Sequence, residues 1–219
     1  MKGVLLDVDG TLVLSNDAHA HSWVEAFAHY NYSVKFQDVR WLIGMGGDKL
    51  IPRLRPELNG DSGVGAKIST YRSQLFLDKY APSLQATPGA RKFIQKLHRV
   101  GLKFIIATSA QSKELKLILK SAGLDDLLQQ ATTADDADNS KPEPDIVHAA
   151  LDKLGLNAAQ VMMIGDTPYD IEAAGRAGVQ LIALRCGGWQ DKDLQGAAAI
   201  YDDPADLLAT FKSSPLKCD

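Results

Sequence analysis

The chain opens with three consecutive apolar residues, Val4-Leu5-Leu6, which stop abruptly at Asp7-Val8-Asp9-Gly10-Thr11. A short unbroken apolar run that ends at a glycine-containing turn is typical of a buried β-strand. The pattern therefore predicts a strand near the N-terminus, with two aspartates at its carboxyl end.

Between residues 15 and 82 the apolar positions follow a helical spacing instead. Trp23, Phe27 and Tyr30 fall on one face of a predicted helix. A second face with this spacing is formed later by Val64, Ile68, Tyr71 and Leu75. A glycine- and proline-interrupted piece lies between them, and no strand is predicted in the segment. We therefore expect a small helical domain over 15–82.

After residue 82 short apolar runs alternate with segments of helical spacing. Strands are predicted at 102–107, 130–133, 161–164, 180–184 and 199–201, with helices at 113–121, 145–154, 169–177 and 205–211. Unbroken apolar strands are buried on both faces, as in a parallel sheet. Strands that alternate with helices indicate a doubly wound α/β fold. We predict a Rossmann-like core domain over 1–14 and 83–219, with the helical domain inserted after the first strand.

Composition excludes several classes of function. The net charge is −3 and the isoelectric point is near 5.9, so the basic surface that binds nucleic acid or anionic membranes is missing. The two cysteines, Cys186 and Cys218, are too few for a disulfide framework or a thiolate zinc cluster. We expect a cytoplasmic protein with no nucleic-acid or membrane partner. The sequence is compatible with a monomer and with a dimer.

Polar clusters follow four of the predicted strands. They are Asp7-Val8-Asp9, Thr108-Ser109, Lys141-Pro142, and Gly165-Asp166-Thr167-Pro168-Tyr169-Asp170. Taken singly, a turn, a helix cap or a surface lysine explains much of each cluster. The carboxyl ends of parallel strands, however, meet at one crevice. We therefore expect the carboxylates, the threonine hydroxyl and the lysine to converge on one site.

The converging residue types point to phosphate chemistry. Aspartate oxygens are the ligands that Mg²⁺ prefers, and Mg²⁺ keeps positions for water and substrate phosphate. A cation, a lysine and N–H donors around a carboxylate nucleophile are the groups that phosphoryl transfer needs.

In order and spacing, the four motifs resemble those of the haloacid dehalogenase (HAD) superfamily, and the similarity covers almost the whole chain. Pro88-Gly89-Ala90 and Gly187-Gly188 are similar to connecting segments of its phosphoglycolate phosphatase and β-phosphoglucomutase branch. That branch carries a helical cap between the first and second motifs, where the helical domain is predicted here.

The resemblance implies a Mg²⁺-dependent phosphatase that acts on a small phosphorylated metabolite. It implies that Asp7 is the nucleophile and forms an aspartyl phosphate, and that Asp9 is the general acid and base. Thr108 and Lys141 would complete the catalytic set by holding phosphoryl oxygens. Mg²⁺ would be bound by Asp7, the main-chain carbonyl of Asp9, and Asp166, with Asp170 orienting these ligands. The phosphate- and substrate-binding residues implied are Gly10, Thr108, Ser109, Lys141, Lys49 and Arg53.

The sequence leaves three other activities open. A phosphomutase would use the same Asp7 chemistry, with a second hydroxyl in place of water. A phosphonatase would use a Schiff-base lysine, and Met45-Gly46-Gly47-Asp48-Lys49 resembles the segment that carries it, but such members lack an acid at the position of Asp9. A non-catalytic binding protein is disfavoured by the intact acidic set.

Two further expectations concern the helical domain. His19 and Trp23 lie one helical turn apart, and we expect them to pack at its entrance, with a contact from His19 to Asp9 as a second role. Four cations in the domain would favour an anionic leaving group such as a carboxylate if they face the site: Arg40, Lys49, Arg53 and Arg55.

Overall fold

The computed structural model describes residues 1–217, and within them six parallel strands form one sheet in the order β3-β2-β1-β4-β5-β6. The strands are β1 (Gly3–Leu6), β2 (Lys103–Ala107), β3 (Ala131–Thr132), β4 (Val161–Gly165), β5 (Gln180–Leu184) and β6 (Ala199–Tyr201). The predicted doubly wound parallel sheet is confirmed, and the predicted strands lie within about two residues of those observed.

Helices occupy both the connections of the sheet and the segment after β1. They are α1 (Asn16–His29), α2 (Phe36–Arg40), α3 (Gly47–Leu54), α4 (Gly63–Leu75), α5 (Ala90–Arg99), α6 (Ser112–Ser121), α7 (Asp145–Leu154), α8 (Pro168–Arg176) and α9 (Pro204–Ala209). None of the described helices is long and apolar enough to cross a lipid bilayer. The sequence pattern did not predict α2, α3 or α5.

The central strand β1 is buried on both faces. Val4 and Leu6 pack into one apolar cluster, which includes Phe93 of α5, while Leu5 packs into a second cluster with Ile146 of α7. Consecutive side chains of a strand point to opposite faces, so an unbroken apolar run is required here. This burial explains why the first strand has no polar position before Asp7.

The sheet reverses its order at β1, and this reversal positions the crevice. The β1 strand pairs with β2 on one side and β4 on the other, and Leu6 is level with Ile106 and with Ile164. The residues that follow these strands therefore emerge at one edge. In doubly wound sheets this edge, at the point of reversal, is where ligands bind.

Residues 16–83 of the structure contain helices and turns but no strand of the sheet. This segment has an apolar cluster of its own, in which Phe27 and Ile68 are fully buried. The chain leaves the sheet near Leu14 and returns to it near Gln85, and these two crossings are hydrogen-bonded to each other. The N–H of Leu14 donates to the carbonyl of Gln85 at 2.9 Å, and the N–H of Thr87 donates to the carbonyl of Leu12 at 2.9 Å. The exact division into domains over 1–14 with 83–219, and 15–82, stays a prediction.

We expect Phe93→Ala to lower the free energy of unfolding by about 3–5 kcal/mol, because it leaves a large cavity where α5 packs on the sheet. Urea denaturation measures the loss. The exposed Val64 supplies a control, since Val64→Ala should change the free energy by less than about 0.5 kcal/mol. Equal losses in the two variants would contradict this account of the core.

Candidate active site

Asp7 is fixed at the end of β1 by the sheet itself. Its N–H donates to the carbonyl of Ile164 at 2.9 Å, which continues the β1–β4 pairing by one residue. Its carboxylate accepts a hydrogen bond from Lys141 Nζ to Oδ1 at 2.7 Å. The side chain is buried but borders the cavity described below.

The Lys141 ammonium group joins three parts of the sheet edge. Besides Asp7, it donates to Asp170 Oδ1 at 2.7 Å and to the carbonyl of Ala107 at 2.8 Å. The side chain is 1% exposed. Burial alone would lower its pKa, but Asp170 and Asp7 outweigh burial and raise that pKa above its usual value. Lys141 is therefore a permanent cation.

Asp166 follows β4 and lies in a tight polar pocket. Thr11 Oγ1 donates to its Oδ1 at 2.9 Å, and Asn16 Nδ2 donates to its Oδ2 at 3.0 Å. A Cβ on Gly10 would lie 2.3 Å from Asp166 Oδ2, and one on Gly187 would lie 1.8 Å from it. Both positions therefore need glycine, and Gly10 also has a positive φ of 81°. Gly10 supports Asp166 and does not line the cavity.

Asp170 serves both the first turn of α8 and the site. The Thr167 N–H and hydroxyl both donate to Asp170 Oδ2, at 3.0 and 2.7 Å, and the Thr167 hydroxyl accepts from the Asp170 N–H at 3.1 Å. This reciprocal pattern is a capping box. The other oxygen of Asp170 remains for Lys141, so the helix cap and the ion pair share one carboxylate.

The three carboxylates carry more charge than Lys141 balances. Ligand oxygens of Asp7, Asp166 and Asp170 lie within 4.8 Å of one another. Burial, followed by the charges of Asp170 and Asp9, raises the pKa of Asp7 to about 7 despite Lys141. Burial and the charges of Asp7 and Asp170 likewise raise the pKa of Asp166 well above its usual value. Closely spaced anionic oxygens with one counter-charge fit a hard divalent cation such as Mg²⁺.

Asp9 has a different environment from Asp7. Its Oδ1 accepts from the Ser15 hydroxyl and contacts His19 Nε2 at 2.7 Å. Burial would raise its pKa, but His19 and Ser15 outweigh burial and hold that pKa below its usual value. The contact between His19 and Asp9 that we expected is present, and so is packing, because the His19 ring stacks on Phe76 at 4.0 Å.

A buried chain of polar groups runs from Asp9 to the sheet domain. Arg72 of α4 donates to His19 Nδ1, and its Nη1 donates to both oxygens of Glu114 of α6, each at 2.9 Å. Arginine has no acceptor, so Nδ1 of His19 accepts. Neither Arg72 nor Glu114 is predicted from the sequence, because they are 42 positions apart and no local pattern indicates their pairing.

A cavity of about 550 Å³ lies between the sheet edge and the helical segment. The sheet contributes Asp7, Asp9, Thr108 and Ser109 to its wall, and α3 contributes Lys49. Thr108 is held by the N–H of Ala110, which donates to its hydroxyl at 3.1 Å. The Ser109 hydroxyl is buried without a hydrogen-bond partner. Buried hydroxyls are normally bonded, so this orphaned group fits a wall that holds a ligand.

The sequence left open which way the four cations of the helical domain point, and it predicted Lys49 and Arg53 as substrate-binding residues. Arg40 donates to Asp17 at 2.6 Å and to the carbonyl of Gly187 at 2.6 Å, and Arg55 donates to the carbonyl of Ser33. Arg53 is exposed and is not among the described residues that line the cavity. Of the four, only Lys49 lines it.

Comparisons with known proteins agree with this site. The sequence profile of the family described as haloacid dehalogenase-like hydrolase matches residues 4–184. A phosphoglycolate phosphatase of Rhodospirillum rubrum is 28% identical over 94% of this chain and 89% of that protein. The pyrophosphatase PpaX of Halalkalibacterium halodurans is 30% identical over 81% of this chain and 80% of that protein. A crystal structure of a hydrolase from Pseudomonas syringae superposes with a TM-score of 0.90 at 29% identity, covering 97% of this chain and 99% of that one.

We expect Glu114→Gln to lower the free energy of unfolding by about 3–5 kcal/mol, because it leaves the Arg72 guanidinium buried without a counter-charge. Replacing both residues, as Arg72→Met with Glu114→Leu, should recover at least about 2 kcal/mol of that loss. Thermal and urea unfolding of the two variants measure the difference. A loss below about 1 kcal/mol in the single variant would show that the pair is not desolvated.

Proposed function

The chain belongs to the haloacid dehalogenase-like hydrolase family, and we propose that it is a Mg²⁺-dependent phosphatase of a small phosphorylated metabolite. The observation that carries this proposal is the cluster of three buried carboxylates around Lys141, with Asp7 open to the cavity. The named activities of the relatives, phosphoglycolate phosphatase and pyrophosphatase, support phosphoryl hydrolysis.

In the first step, a carboxylate oxygen of Asp7 attacks phosphorus, and the bond from phosphorus to the leaving oxygen breaks. Lys141 holds Oδ1 of Asp7 and so orients the carboxylate for attack. The departing oxygen takes a proton from Asp9, which lies at the same wall of the cavity. The product of this step is the substrate alcohol and an aspartyl phosphate on Asp7.

In the second step, Asp9 takes a proton from water, and the water oxygen attacks the phosphorus of the aspartyl phosphate. The bond from phosphorus to the Asp7 oxygen breaks, which releases inorganic phosphate and restores the Asp7 carboxylate. The Ser15 hydroxyl, which donates to Asp9 Oδ1, and the contact of the same oxygen with His19 Nε2 hold the carboxylate in place for this transfer. Thr108 and Ser109 border the space where the phosphoryl oxygens would lie. We assign their hydroxyls to holding those oxygens. The three N–H donors of Lys141 are taken by Asp7, Asp170 and the carbonyl of Ala107, so we assign to Lys141 the balancing of charge from behind Asp7.

Asp7, Asp166 and the main-chain carbonyl of Asp9 are the groups that we assign to Mg²⁺, with Asp170 orienting Lys141 and the first turn of α8. When bound, the ion would neutralise charge on the phosphoryl group and on the carboxylates. The raised pKa values of Asp7 and Asp166 support this assignment, because they reflect burial of both carboxylates and the negative charge of their neighbours, which Lys141 does not offset.

The first prediction for this function concerns activity. Asp7→Asn should lower kcat for p-nitrophenyl phosphate by at least about 10³-fold, because the amide is not a nucleophile. Asp9→Asn should lower kcat by about 10²–10⁴-fold through loss of proton transfer. Release of inorganic phosphate measures both effects, and thermal unfolding confirms that each variant is folded.

Two results would contradict the proposal. Full activity in Asp7→Asn would remove the nucleophile assignment. Conversion of a sugar monophosphate to its isomer without release of phosphate would favour the phosphomutase, which uses the same Asp7 chemistry. Independently of these assays, we propose that the protein is cytoplasmic.

The second prediction concerns pH and Mg²⁺. Because the pKa of Asp7 in the folded protein is about 7, above its usual value of 3.8, the stability that Asp7 contributes is fully present below about pH 4 and is lost as the pH rises through 7. The unfolding temperature of the metal-free protein should therefore fall from pH 5 to pH 8. Mg²⁺ needs ionised ligands, so the rise in unfolding temperature that it causes should grow over the same interval.

At a concentration of 100 Kd, Mg²⁺ should stabilise the protein by about 2.7 kcal/mol, or roughly 5–10 °C for a chain of this size. Scanning calorimetry with Mg²⁺ and with EDTA measures the shift. Asp166→Asn should abolish most of the shift, whereas Asp152→Asn, at an exposed position of α7, should leave it unchanged. A shift of full size in Asp166→Asn would refute the ligand assignment.

A further inference from the structure

The cavity has two ends with different chemistry. Asp7, Thr108 and Ser109 mark the end where the proposed function places the phosphoryl group. The leaving group of the substrate must then lie against other lining residues, and we use the name leaving-group wall for six of them. Its charged members are Asp48, Lys49, Asp61 and Asp138, and its neutral polar members are Ser69 and Asn139.

Arg72 also borders the cavity, but its charge is already balanced. Both Nη1 contacts go to Glu114, Nε donates to Ser22 at 3.1 Å, and Nη2 donates to His19. A guanidinium group has five N–H donors, so at most one is left for a ligand. A substrate carboxylate would have to compete with Glu114 for this arginine, which is a buried and bidentate pair.

The acidic members of the leaving-group wall lack such counter-charges. The Asp48 carboxylate accepts a hydrogen bond from the Ser140 hydroxyl at 2.6 Å, which leaves its charge in place. Asp61 and Asp138 are exposed at the rim. Within residues 1–217 no side-chain cation forms an ion pair with any of these three acids. Three carboxylates and one ammonium group, that of Lys49, therefore line this wall.

We propose that the leaving group of the natural substrate is an uncharged polyhydroxy alcohol, and that Asp48 and Asp61 determine this specificity. Carboxylates accept hydrogen bonds from hydroxyl groups, and the wall adds a serine hydroxyl and an asparagine amide that can donate or accept. A second carboxylate or phosphate on the substrate would meet excess negative charge. The proposal rests on the proposed phosphatase function, and it sets this chain apart from relatives that are named for phosphoglycolate and pyrophosphate.

Two matched substrate pairs test the proposal with the Mg²⁺-loaded full chain. Glycerol 3-phosphate and 3-phosphoglycerate differ in a hydroxymethyl group against a carboxylate, and so do sorbitol 6-phosphate and 6-phosphogluconate. We expect kcat/KM to be at least about tenfold higher for the alcohol in the better-accepted pair. Since the difference arises from repulsion in the cavity, it should be larger at low salt.

Variants assign the preference to the wall. The quantity compared is the ratio of kcat/KM for the alcohol substrate to kcat/KM for the carboxylate substrate. Asp48→Asn and Asp61→Asn should each lower this ratio about threefold or more, chiefly by lowering KM for the carboxylate substrate. Asp61→Lys, at an exposed position, should lower it further. Asp152→Asn removes the same single negative charge at a position away from the cavity, so it should leave this ratio unchanged.

The outcomes separate this inference from the proposed function. If p-nitrophenyl phosphate is hydrolysed in an Asp7-dependent manner but the carboxylate substrates are preferred, or the ratio is unmoved by Asp48→Asn and Asp61→Asn, the specificity proposal is overturned and the phosphatase stands. If no phosphomonoester is hydrolysed through Asp7, both fail.

Discussion

The Lys141 ammonium group is the interaction on which the proposed active site depends. It is buried at the carboxyl edge of the sheet and donates to Asp7, to Asp170 and to the carbonyl of Ala107. These partners follow β1, begin α8 and end β2, so one side chain connects three separate elements. Without that cation, the carboxylates of Asp7 and Asp170 would repel each other in a site with little water to screen them. The lysine thus holds together a group of acids that still carries negative charge for a metal ion.

The same edge is joined to the helical segment on two sides. On one side, Arg72 and Ser73 both donate to Glu114 of α6. On the other side, Arg40 donates to the carbonyl of Gly187, and the Tyr169 hydroxyl donates to the carbonyl of Trp41 at 2.6 Å. The helical segment therefore lies over the cavity and is fixed to the sheet domain on both sides. Its residues form much of the leaving-group wall, while the sheet supplies the groups assigned to the phosphoryl transfer.

Much of the fold could be predicted from the sequence because the sheet is buried on both faces. Burial forces unbroken apolar runs, and each run ends where a polar residue such as Asp7 or Asp166 emerges. Helix α5 was not predicted, although its sequence carries a helical signal: Ala90, Phe93, Ile94 and Leu97 repeat at helical spacing.

The direction of side chains in the helical segment could not be predicted in this way. Sequence spacing showed four cations near the expected site, and only Lys49 lines the cavity. Arg55 donates to the carbonyl of Ser33, and Arg40 donates to that of Gly187, which is 147 positions distant in the chain. The pairing of Arg72 with Glu114 is hidden for the same reason. Contacts between distant segments depend on packing geometry, and hydrophobic periodicity carries no information about it.

The paired crossings between the sheet and the helical segment have a consequence for the timing of the reaction. The backbones of Leu12 and Leu14 are hydrogen-bonded to Thr87 and Gln85, where the chain returns to the sheet. The next residue, Ser15, donates a hydrogen bond to the Asp9 carboxylate. A rotation of the helical segment about these crossings would displace Ser15 and His19, because α1 begins directly after Ser15. The Asp9 carboxylate, to which we assign proton transfer, would thus lose its alignment whenever the cavity opens to bulk solvent. Such a linkage would protect the phosphorylated enzyme from premature loss of the phosphoryl group on Asp7.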